Sequence, residues 1–355
     1  MELNLLKKKF KGKNILITGN TGFVGSWLSL LLSDLGASVL GYSQKKLDRR
    51  FISNLPAYKT KIKTIYSDIN KFDKNIKKLK HFKPQIIIHL ASQALVLESY
   101  KNSSQTFFTN VMGTVNFFET IKKINSVKKV IIFTSDKVYE NLNGKILTEK
   151  SNLGGIDPYS ASKSCQDIIS NSYKASFFKK KIDITILRAG NIIGGGDWNK
   201  NRLVPDIFKS IYKKEKIVIR NPNAIRPWQH ILEILNAFIL IILLKNKNTQ
   251  NNLGTLNIAP NLRSNISVFK LINLIKKIGN FKNLKIKYKK NLFSETQILR
   301  LSSNKAKKVL NYFPKLTLEE SVKLTNDWYK NYFLDKKQIL KFTRMQIQSY
   351  FKIKD

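Results

Sequence analysis

The chain has 355 residues, of which 42% are hydrophobic, and its formal net charge is +41 at pH 7. That apolar fraction is ordinary for a globular protein and excludes a largely disordered chain. The length favours one large two-lobed unit or two domains, and the single cysteine, Cys165, excludes an internal disulfide framework.

The positive charge comes mainly from lysines that are spread along the whole chain. Asn and Ile are also abundant, and this combination is typical of an AT-rich coding sequence. We therefore predict no specific nucleic-acid partner, although a basic surface favours an anionic substrate and salt-sensitive binding of polyanions.

The longest apolar stretch, residues 231–244, is interrupted by Glu233 and Asn236. It is shorter than the roughly 20 apolar residues that span a bilayer, so it predicts a buried helix and no membrane association. The opening residues lack the apolar core of a secretory leader, and one cysteine suits a reducing compartment. These features predict a cytoplasmic protein.

The first half of the chain alternates predicted strands and helices. Strands are predicted at residues 14–18, 38–42, 62–67, 85–90, 130–134 and 184–187, and helices at 27–35, 105–123 and 160–178. Continuous β-branched runs that alternate with helices are typical of a parallel sheet covered on both faces. The pattern predicts an α/β fold with a doubly wound parallel Rossmann sheet, whose ligand lies beyond the carboxyl ends of the strands.

The second half mixes short predicted strands with helices, which indicates a smaller α+β substrate lobe. The strands are predicted at 217–220, 256–258 and 284–288, and the helices at 203–213, 268–277 and 318–329. We place the dinucleotide-binding domain at 1–190, with segments around 225–260 returning to it, and the substrate lobe at 191–335. Residues 336–355 form a basic tail to which the sequence assigns no function.

A glycine-rich turn connects the first predicted strand to the first long helix with the spacing G-x-x-G-x-x-G. The first glycine allows a tight turn, the second lets the backbone approach a pyrophosphate, and the third lets helix and strand pack closely. The helix N-terminus then offers free N–H groups to phosphate. The predicted cofactor-binding residues of this turn are Gly19, Thr21, Gly22, Phe23, Val24 and Gly25.

The rest of the cofactor site is predicted from the ends of later strands. The acidic residue that usually closes the second strand is missing: Ser43 is predicted to bond the ribose instead, while Lys45 or Lys46 would suit a 2′-phosphate. This loop therefore leaves NAD and NADP both open. Further predicted contacts are Asp68 and Ile69 at the adenine and Leu90, Ala91 and Gln93 along the dinucleotide.

Tyr159 and Lys163 are spaced i and i+4, which places them on one face of a predicted helix. A phenol with a pKa near 10 is a poor base at neutral pH, but a nearby ammonium stabilises the phenolate. Ser135, at the end of the fifth predicted strand, is expected to hydrogen-bond the same substrate hydroxyl. The pattern predicts acid–base chemistry on a sugar hydroxyl, with Tyr159 and Lys163 also contacting the cofactor.

The combination of glycine-rich turn, Ser135, Tyr159 and Lys163 resembles the extended short-chain dehydrogenase/reductase family over about residues 10–333. Within that family, the segment TSDKVYEN from Thr134 to Asn141 resembles the 4,6-dehydratases that act on CDP-glucose. The stretches RAGNIIGGGDW from Arg188, IRPWQH from Ile225 and ETQILRL from Glu295 agree with this resemblance.

The resemblance implies a lyase that uses NAD and converts CDP-glucose to CDP-4-keto-6-deoxyglucose. In this reaction a hydride passes from C4 to NAD and returns at C6 as water is lost. Tyr159 would take the C4 hydroxyl proton and Asp136 would protonate the departing C6 hydroxyl. Lys137 stands where the family usually has a glutamate base, and its role as base, acid or electrostatic anchor stays open.

The resemblance also implies a homodimer, formed through the helices predicted at 105–123 and 160–178. Arg forks suit phosphate oxygens, so the predicted contacts to the substrate diphosphate and ribose are Arg188, Asn191, Arg202 and Arg226. The three histidines show no metal-ligand spacing, and no metal is predicted. Another nucleotide sugar, an epimerase activity, or a catalytically silent RNA-binding protein of the same fold are the alternatives.

Overall fold

The computed structural model describes residues 3–45, 48, 50–140, 144–179, 181–244, 253–282, 284–289 and 296–352. Its strands are β1 Asn14–Thr18, β2 Ser38–Ser43, β3 Lys63–Tyr66, β4 Ile86–His89, β5 Lys129–Phe133, β6 Ile146–Leu147, β7 Asp183–Ala189, β8 Ile192–Ile193, β9 Ile217–Ile219, β10 Ile225–Pro227, β11 Gln229–His230, β12 Gly254–Ile258, β13 Asn265–Ser267, β14 Ile286–Tyr288 and β15 Arg300–Leu301.

The α-helices of the same described residues follow in chain order. They are α1 Leu3–Phe10, α2 Phe23–Asp34, α3 Pro56–Lys61, α4 Ile76–Phe82, α5 Val96–Lys101, α6 Ser103–Phe107, α7 Gly113–Ile121, α8 Pro158–Phe177, α9 Leu203–Lys213, α10 Ile231–Leu243, α11 Val268–Gly279, α12 Asn304–Leu310, α13 Leu318–Leu334 and α14 Ile339–Lys352.

Seven of the described strands form one parallel sheet in the order β12-β7-β5-β4-β1-β2-β3. The chain moves outward from β1 through β2 to β3, and then returns to β4 on the other side of β1. This reversal is the switch point at which doubly wound sheets bind their ligands. The predicted Rossmann fold is confirmed. β12 joins this sheet beside β7 and belongs to the segments around 225–260 that the sequence assigns to the dinucleotide-binding domain.

The sheet separates two hydrophobic cores, and alternate residues of each strand face opposite cores. On β1, Ile15 and Ile17 pack with the core that contains α2 and α10, whereas Leu16 packs with the core that contains Phe117 and Phe118 of α7. All three β1 side chains are fully buried. Continuous apolar runs in the sequence therefore reflect burial on both faces of the sheet.

The helix predicted over 105–123 is interrupted by a π-helical turn, Phe108–Met112, between α6 and α7. The turn directs the fully buried Asn110 inward. Its amide accepts a hydrogen bond from the backbone N–H of Gln93 at 2.7 Å and donates to the Ser162 hydroxyl on α8 at 2.9 Å. A single extra residue in the helix thus fixes a loop after β4 relative to α8.

The apolar stretch at 231–244 forms α10, and most of its side chains are buried, as predicted. None of the described helices is long and apolar enough to cross a bilayer. The final described helix, α14, packs on α13 and α2. It buries Ile347 and Tyr350, and the Tyr350 hydroxyl donates to the buried Glu233 carboxylate of α10 at 2.8 Å. Most of the segment assigned above as a tail is therefore part of the folded unit.

Candidate active site

A cavity of about 980 Å³ lies at the carboxyl ends of the parallel strands. Residues that follow β1, β2, β4, β5 and β7 line one side of it, and residues from α9, β9 and β10 line the other. The cavity therefore spans the switch point of the sheet and the second lobe, where the sequence predicts a ligand.

The glycine-rich turn forms the floor of the cavity at the first strand. Gly19 has a φ of +75°, and a Cβ atom there would lie 2.8 Å from the backbone nitrogen of Ala91. A Cβ at Gly25 would collide with the Gly19 carbonyl. Gly22 caps α2 without a side-chain hydrogen bond, so the first N–H groups of the helix are open to a phosphate. The turn thus fits a dinucleotide pyrophosphate.

The turn is held from beneath by residues that follow β2. The buried hydroxyls of Tyr58 and Ser53 donate to the carbonyls of Asn20 and Thr21, each at 3.0 Å. Sequence reasoning did not find these two residues, because their roles depend on contacts with a loop about 30 positions away. Both fix the shape of the turn without entering the cavity lining.

Two predicted cofactor contacts, Thr21 and Asp68, lie outside the cavity lining. The Thr21 hydroxyl hydrogen-bonds the Ser43 hydroxyl at 2.7 Å. The Asp68 carboxylate accepts from the Gln44 amide at 2.9 Å and caps the 3₁₀ turn Ile69–Lys71. Both residues therefore position their neighbours rather than line the cavity. The other predicted cofactor residues line it, namely Gly19, Gly22, Phe23, Val24, Gly25, Ser43, Ile69, Leu90, Ala91, Gln93, Tyr159 and Lys163.

The predicted acid–base pair lies in the first turns of α8. Asp157 caps this helix by accepting from the N–H of Ser160 at 2.9 Å, and the N–H of Tyr159 donates to Ser99 at 3.1 Å. The cap and the Ser99 contact fix the phenol at the cavity wall, where 7% of Tyr159 is exposed. Ser135 lies beside the Tyr159 hydroxyl and interacts with it. The sequence predicts that both groups contact one substrate hydroxyl, and this placement is compatible with it.

Burial raises the pKa of Tyr159, and the hydrogen bond with Ser135 and the charge of Arg202 oppose this increase. Lys163 is 2% exposed, and its ammonium donates to the Phe133 carbonyl at 3.2 Å and to Gln166 at 2.7 Å. Burial lowers the pKa of Lys163 to about 7, and Asp167 opposes that decrease. The charge of Arg202 thus also favours the phenolate, a contribution that the sequence did not suggest.

Asp136 and Lys137 follow β5 and line the cavity beside Ser135. Asp136 is 2% exposed, and one of its carboxylate oxygens accepts from the Ser135 hydroxyl at 3.2 Å. Burial raises the pKa of Asp136, while Lys137, Ser135 and Arg226 oppose the increase. A carboxyl group that is held toward its protonated form next to an acid–base tyrosine suits the role of a general acid.

Three of the four predicted substrate contacts line the cavity. Arg202 forms an ion pair with Asp197 at 3.2 Å, and Arg226 donates to the Ile225 carbonyl at 2.9 Å. Asn191 has a φ of +41°, and its buried amide nitrogen has no hydrogen-bond partner among the described residues. Two guanidinium groups and an unsatisfied amide donor on one wall suit an anionic ligand such as a diphosphate.

Arg188 is the exception, because its side chain lies outside the cavity lining. The guanidinium forms a buried ion pair with Asp167 of α8 and stacks 4.7 Å from the centre of the Tyr139 ring. Arg188 is 3% exposed, and these two contacts hold its guanidinium away from the cavity lining. Its predicted contact with the substrate diphosphate therefore has no support in this geometry.

We expect Arg188→Met to destabilise the fold by about 3–5 kcal/mol, because the substitution leaves the Asp167 carboxylate buried without its partner. The KM for substrate should stay close to that of the wild type. Urea unfolding and steady-state kinetics test both points. The double variant Arg188→Met/Asp167→Asn should recover part of the lost stability. A raised KM with unchanged stability would instead return Arg188 to the substrate site.

A turn for a dinucleotide and a buried tyrosine–lysine helix open into one cavity, which is the arrangement of the extended short-chain dehydrogenase/reductase class. The family model described as GDP-mannose 4,6 dehydratase matches residues 16–325, and the chain belongs to this family. The predicted class of enzyme, a sugar-nucleotide 4,6-dehydratase, is thereby confirmed. Asn141, Lys46 and Glu295, which belong to the sequence arguments above, lie outside the described residues.

One curated relative is the CDP-glucose 4,6-dehydratase of Salmonella typhimurium, which is 40% identical over 242 residues, or 66% of this chain and 67% of that protein. An epimerase structure from Methanothermobacter thermautotrophicus superposes with a TM-score of 0.81 at 20% identity, over 94% of this chain and 97% of that one. The NAD complex of dTDP-glucose 4,6-dehydratase from Bacillus anthracis gives 0.76 at 22% identity, over 90% and 97%. These two structures share the fold.

Proposed function

We propose that this protein is an NAD-dependent CDP-glucose 4,6-dehydratase that forms CDP-4-keto-6-deoxyglucose with loss of water. The observation that carries the proposal is the placement of Asp136 and Lys137 on the cavity wall, joined through Ser135 to Tyr159. An oxidation at C4 needs the tyrosine alone, whereas the elimination of water across C5 and C6 needs a further acid. The similarity to the Salmonella protein supports the choice of CDP-glucose.

The chain's own residues suit NAD as the cofactor. Gly19, Gly22 and the N-terminus of α2 would hold the pyrophosphate, and the Ser43 hydroxyl would bond the adenosine ribose. Gln44, whose amide donates to the Asp68 carboxylate at 2.9 Å, and Lys45 also line the cavity at this end of β2. Bound NAD would supply the acceptor that takes hydrogen from C4 and returns it at C6.

The protein residues then handle the protons. Tyr159 would take the proton of the C4 hydroxyl, with Ser135 bonded to it and the Arg202 charge favouring the phenolate. The 4-ketone makes the C5 proton acidic. Asp136, kept toward its protonated form by burial, would donate a proton to the departing C6 hydroxyl. Lys137 lies next to it. As a neutral amine it would accept the C5 proton, and as an ammonium it would stabilise the enolate oxygen at C4 while solvent takes that proton.

The substrate diphosphate would lie against Arg202 and Arg226, with the Asn191 amide as a further donor. Guanidinium groups bind phosphate oxygens through two parallel hydrogen bonds, which fixes both position and orientation. Because Arg202 also acts on Tyr159, the same side chain would couple binding of the diphosphate to the state of the phenol.

Incubation of the purified protein with single donors tests the proposal. We expect the alkaline absorbance of a 4-keto-6-deoxy sugar with CDP-glucose and at least about tenfold lower kcat/KM with UDP-glucose, dTDP-glucose or GDP-mannose, because a base that leaves polar groups of the site unpaired binds poorly. A clear preference for another donor would overturn the choice of nucleotide. No product with any donor, even with added NAD, would overturn the dehydratase.

We also propose a homodimer that forms through the π-helical turn and α8. Phe108 and Met112 of the turn are 52% and 48% exposed, and Ile168 of α8 is 56% exposed. These two helical segments pack against each other, so the three large apolar side chains lie on neighbouring elements. Apolar surface of this kind is characteristic of a protein–protein interface.

We expect Met112→Lys and Ile168→Lys to shift the protein toward monomer, because each buries a charge in the proposed interface. Light scattering at several concentrations would measure the effect. Leu262→Lys is the matched control, since Leu262 is 58% exposed and lies elsewhere in the fold. A wild-type mass equal to that of one chain at all concentrations would rule out the dimer.

A further inference from the structure

Gly190, in the turn between β7 and β8, lies directly against the Asp136 carboxyl group. A Cβ atom at Gly190 would lie 2.6 Å from Oδ1 of Asp136 and closer still to Oδ2 and Cγ. The carboxyl group therefore occupies the space into which a side chain at position 190 would project. Gly190 is not among the described glycines with positive φ, so its backbone can accept alanine without strain. The glycine supplies room rather than backbone freedom.

The backbone of Gly190 is fixed by Gln229, a buried residue of β11. The Gln229 amide nitrogen donates to the carbonyls of Gly190 and Ile258, each at 3.0 Å. The N–H of Gln229 also donates to the Asn191 carbonyl at 3.3 Å. These bonds connect the turn after β7 to the end of β12, so the Gly190 backbone cannot easily move away from a side chain added there.

The carboxyl group that fills this space is the one assigned above to protonation of the C6 hydroxyl. Its Oδ1 atom accepts from Ser135 at 3.2 Å, and its Oδ2 atom is buried without a hydrogen-bond partner among the described residues. A shift of about 1 Å is enough to take a catalytic group out of reach of its substrate atom. The absence of a side chain at Gly190 therefore allows the carboxyl group to stay beside Ser135.

We propose that Gly190 is a positioning residue for the elimination step. Because Gly190 has no side chain, the Asp136 carboxyl group can occupy the space beside it and stay next to Ser135. The inference rests on the proposed function, in which Asp136 is the acid of that step. Position 190 requires glycine because any side chain there would meet the Asp136 carboxyl group. Any side chain at this position would displace the acid.

A double-mutant cycle of Gly190→Ala and Asp136→Ala tests the proposal. Gly190→Ala should lower kcat with CDP-glucose by on the order of 10²-fold, with little change in KM, because the acid is displaced while binding is kept. In the Asp136→Ala background the same substitution should cause no further loss of kcat, because the three atoms that the new methyl group would meet are gone. A wild-type kcat for Gly190→Ala, or losses that multiply in the double variant, would overturn the proposal.

Thermal unfolding of the same four proteins separates this inference from the proposed function. Gly190→Ala should lower the Tm in the wild-type background, and Asp136→Ala should restore most of the loss. If Asp136→Ala kept the wild-type kcat, the role of Asp136 as acid would be wrong. The unfolding cycle would still report whether the Asp136 carboxyl group depends on the space at Gly190. Additive Tm shifts would show that it does not.

Discussion

Replacing Tyr159 by Phe is expected to lower kcat for CDP-glucose by on the order of 10³-fold, while the protein keeps its fold. The substitution removes one hydroxyl group from a ring that is otherwise packed in α8 and held by the Asp157 cap and Ser99. Without the phenol, the C4 hydroxyl proton loses the base that we assign to it. Affinity for the nucleotide sugar should change little, because the diphosphate contacts lie on Arg202 and Arg226.

Tyr173→Phe is the matched control for this prediction. Tyr173 lies on the same helix, and its hydroxyl donates to Glu119 at 2.7 Å on the surface of the protein. Since this hydroxyl is outside the cavity, we expect wild-type turnover from the control. Steady-state formation of the 4-keto product measures both variants. If Tyr159→Phe retained more than about a tenth of wild-type kcat, another group would have to act as the base.

Asp136→Asn should lower kcat by on the order of 10²- to 10³-fold, because the amide keeps the shape of the side chain but cannot donate the proton. Burial raises the pKa of Asp136, so the acid is protonated below that raised pKa and the rate falls as the pH increases through it. The variant should lose this alkaline limb of the pH–rate profile. Lys137, Ser135 and Arg226 face the carboxyl group and set the position of the limb.

Lys137 can be tested beside Asp136 with two substitutions. Lys137→Met should reduce turnover under either role, whereas Lys137→Arg restores the charge but not a readily deprotonated base. Recovery with arginine would assign electrostatic stabilisation, and no recovery would assign proton transfer. Asp73→Asn and Lys128→Met alter exposed residues and serve as controls. Wild-type rates in both Asp136→Asn and Lys137→Met would contradict the proposed elimination step.

Most of the residues that line the site could be predicted from local motifs, because the geometry of such motifs is set within a few residues. The glycine spacing needs a strand, a turn and a helix in immediate succession, and Tyr159 and Lys163 share one face of one helix. The sheet could be predicted equally well, since strands that are buried on both faces have continuous apolar runs in the sequence. Each of these signals is contained in the sequence segment that forms the structure.

Arg188 shows why the remaining parts could not be predicted. On β7, Leu187 faces one core while Ile184 and Ile186 face the other, and alternation places Arg188 on the second face. There it meets Asp167 of α8, which is 21 positions earlier in the chain. The choice between a buried ion pair and a substrate contact depends on this packing, which a motif does not contain.

Gly190 and the π-helical turn also depend on contacts between distant segments. The requirement for glycine at 190 arises from Asp136, 54 positions earlier, and the inward direction of Asn110 arises from the loop after β4. A glycine in a loop and a polar residue in a helix each have many ordinary explanations in a sequence. The structure shows which contacts each of these two residues makes.

In the proposed reaction, hydrogen leaves C4 and returns at C6 of the same sugar as water is lost. Incubation with CDP-glucose deuterated at C4, followed by NMR and mass spectrometry of the product, tests it most directly. We expect a 4-keto-6-deoxy product that carries the deuterium at C6 and one hydrogen from solvent at C5. Deuterium that stays at C4 in a product that keeps its C6 hydroxyl would indicate an epimerase and rule out the dehydratase reaction.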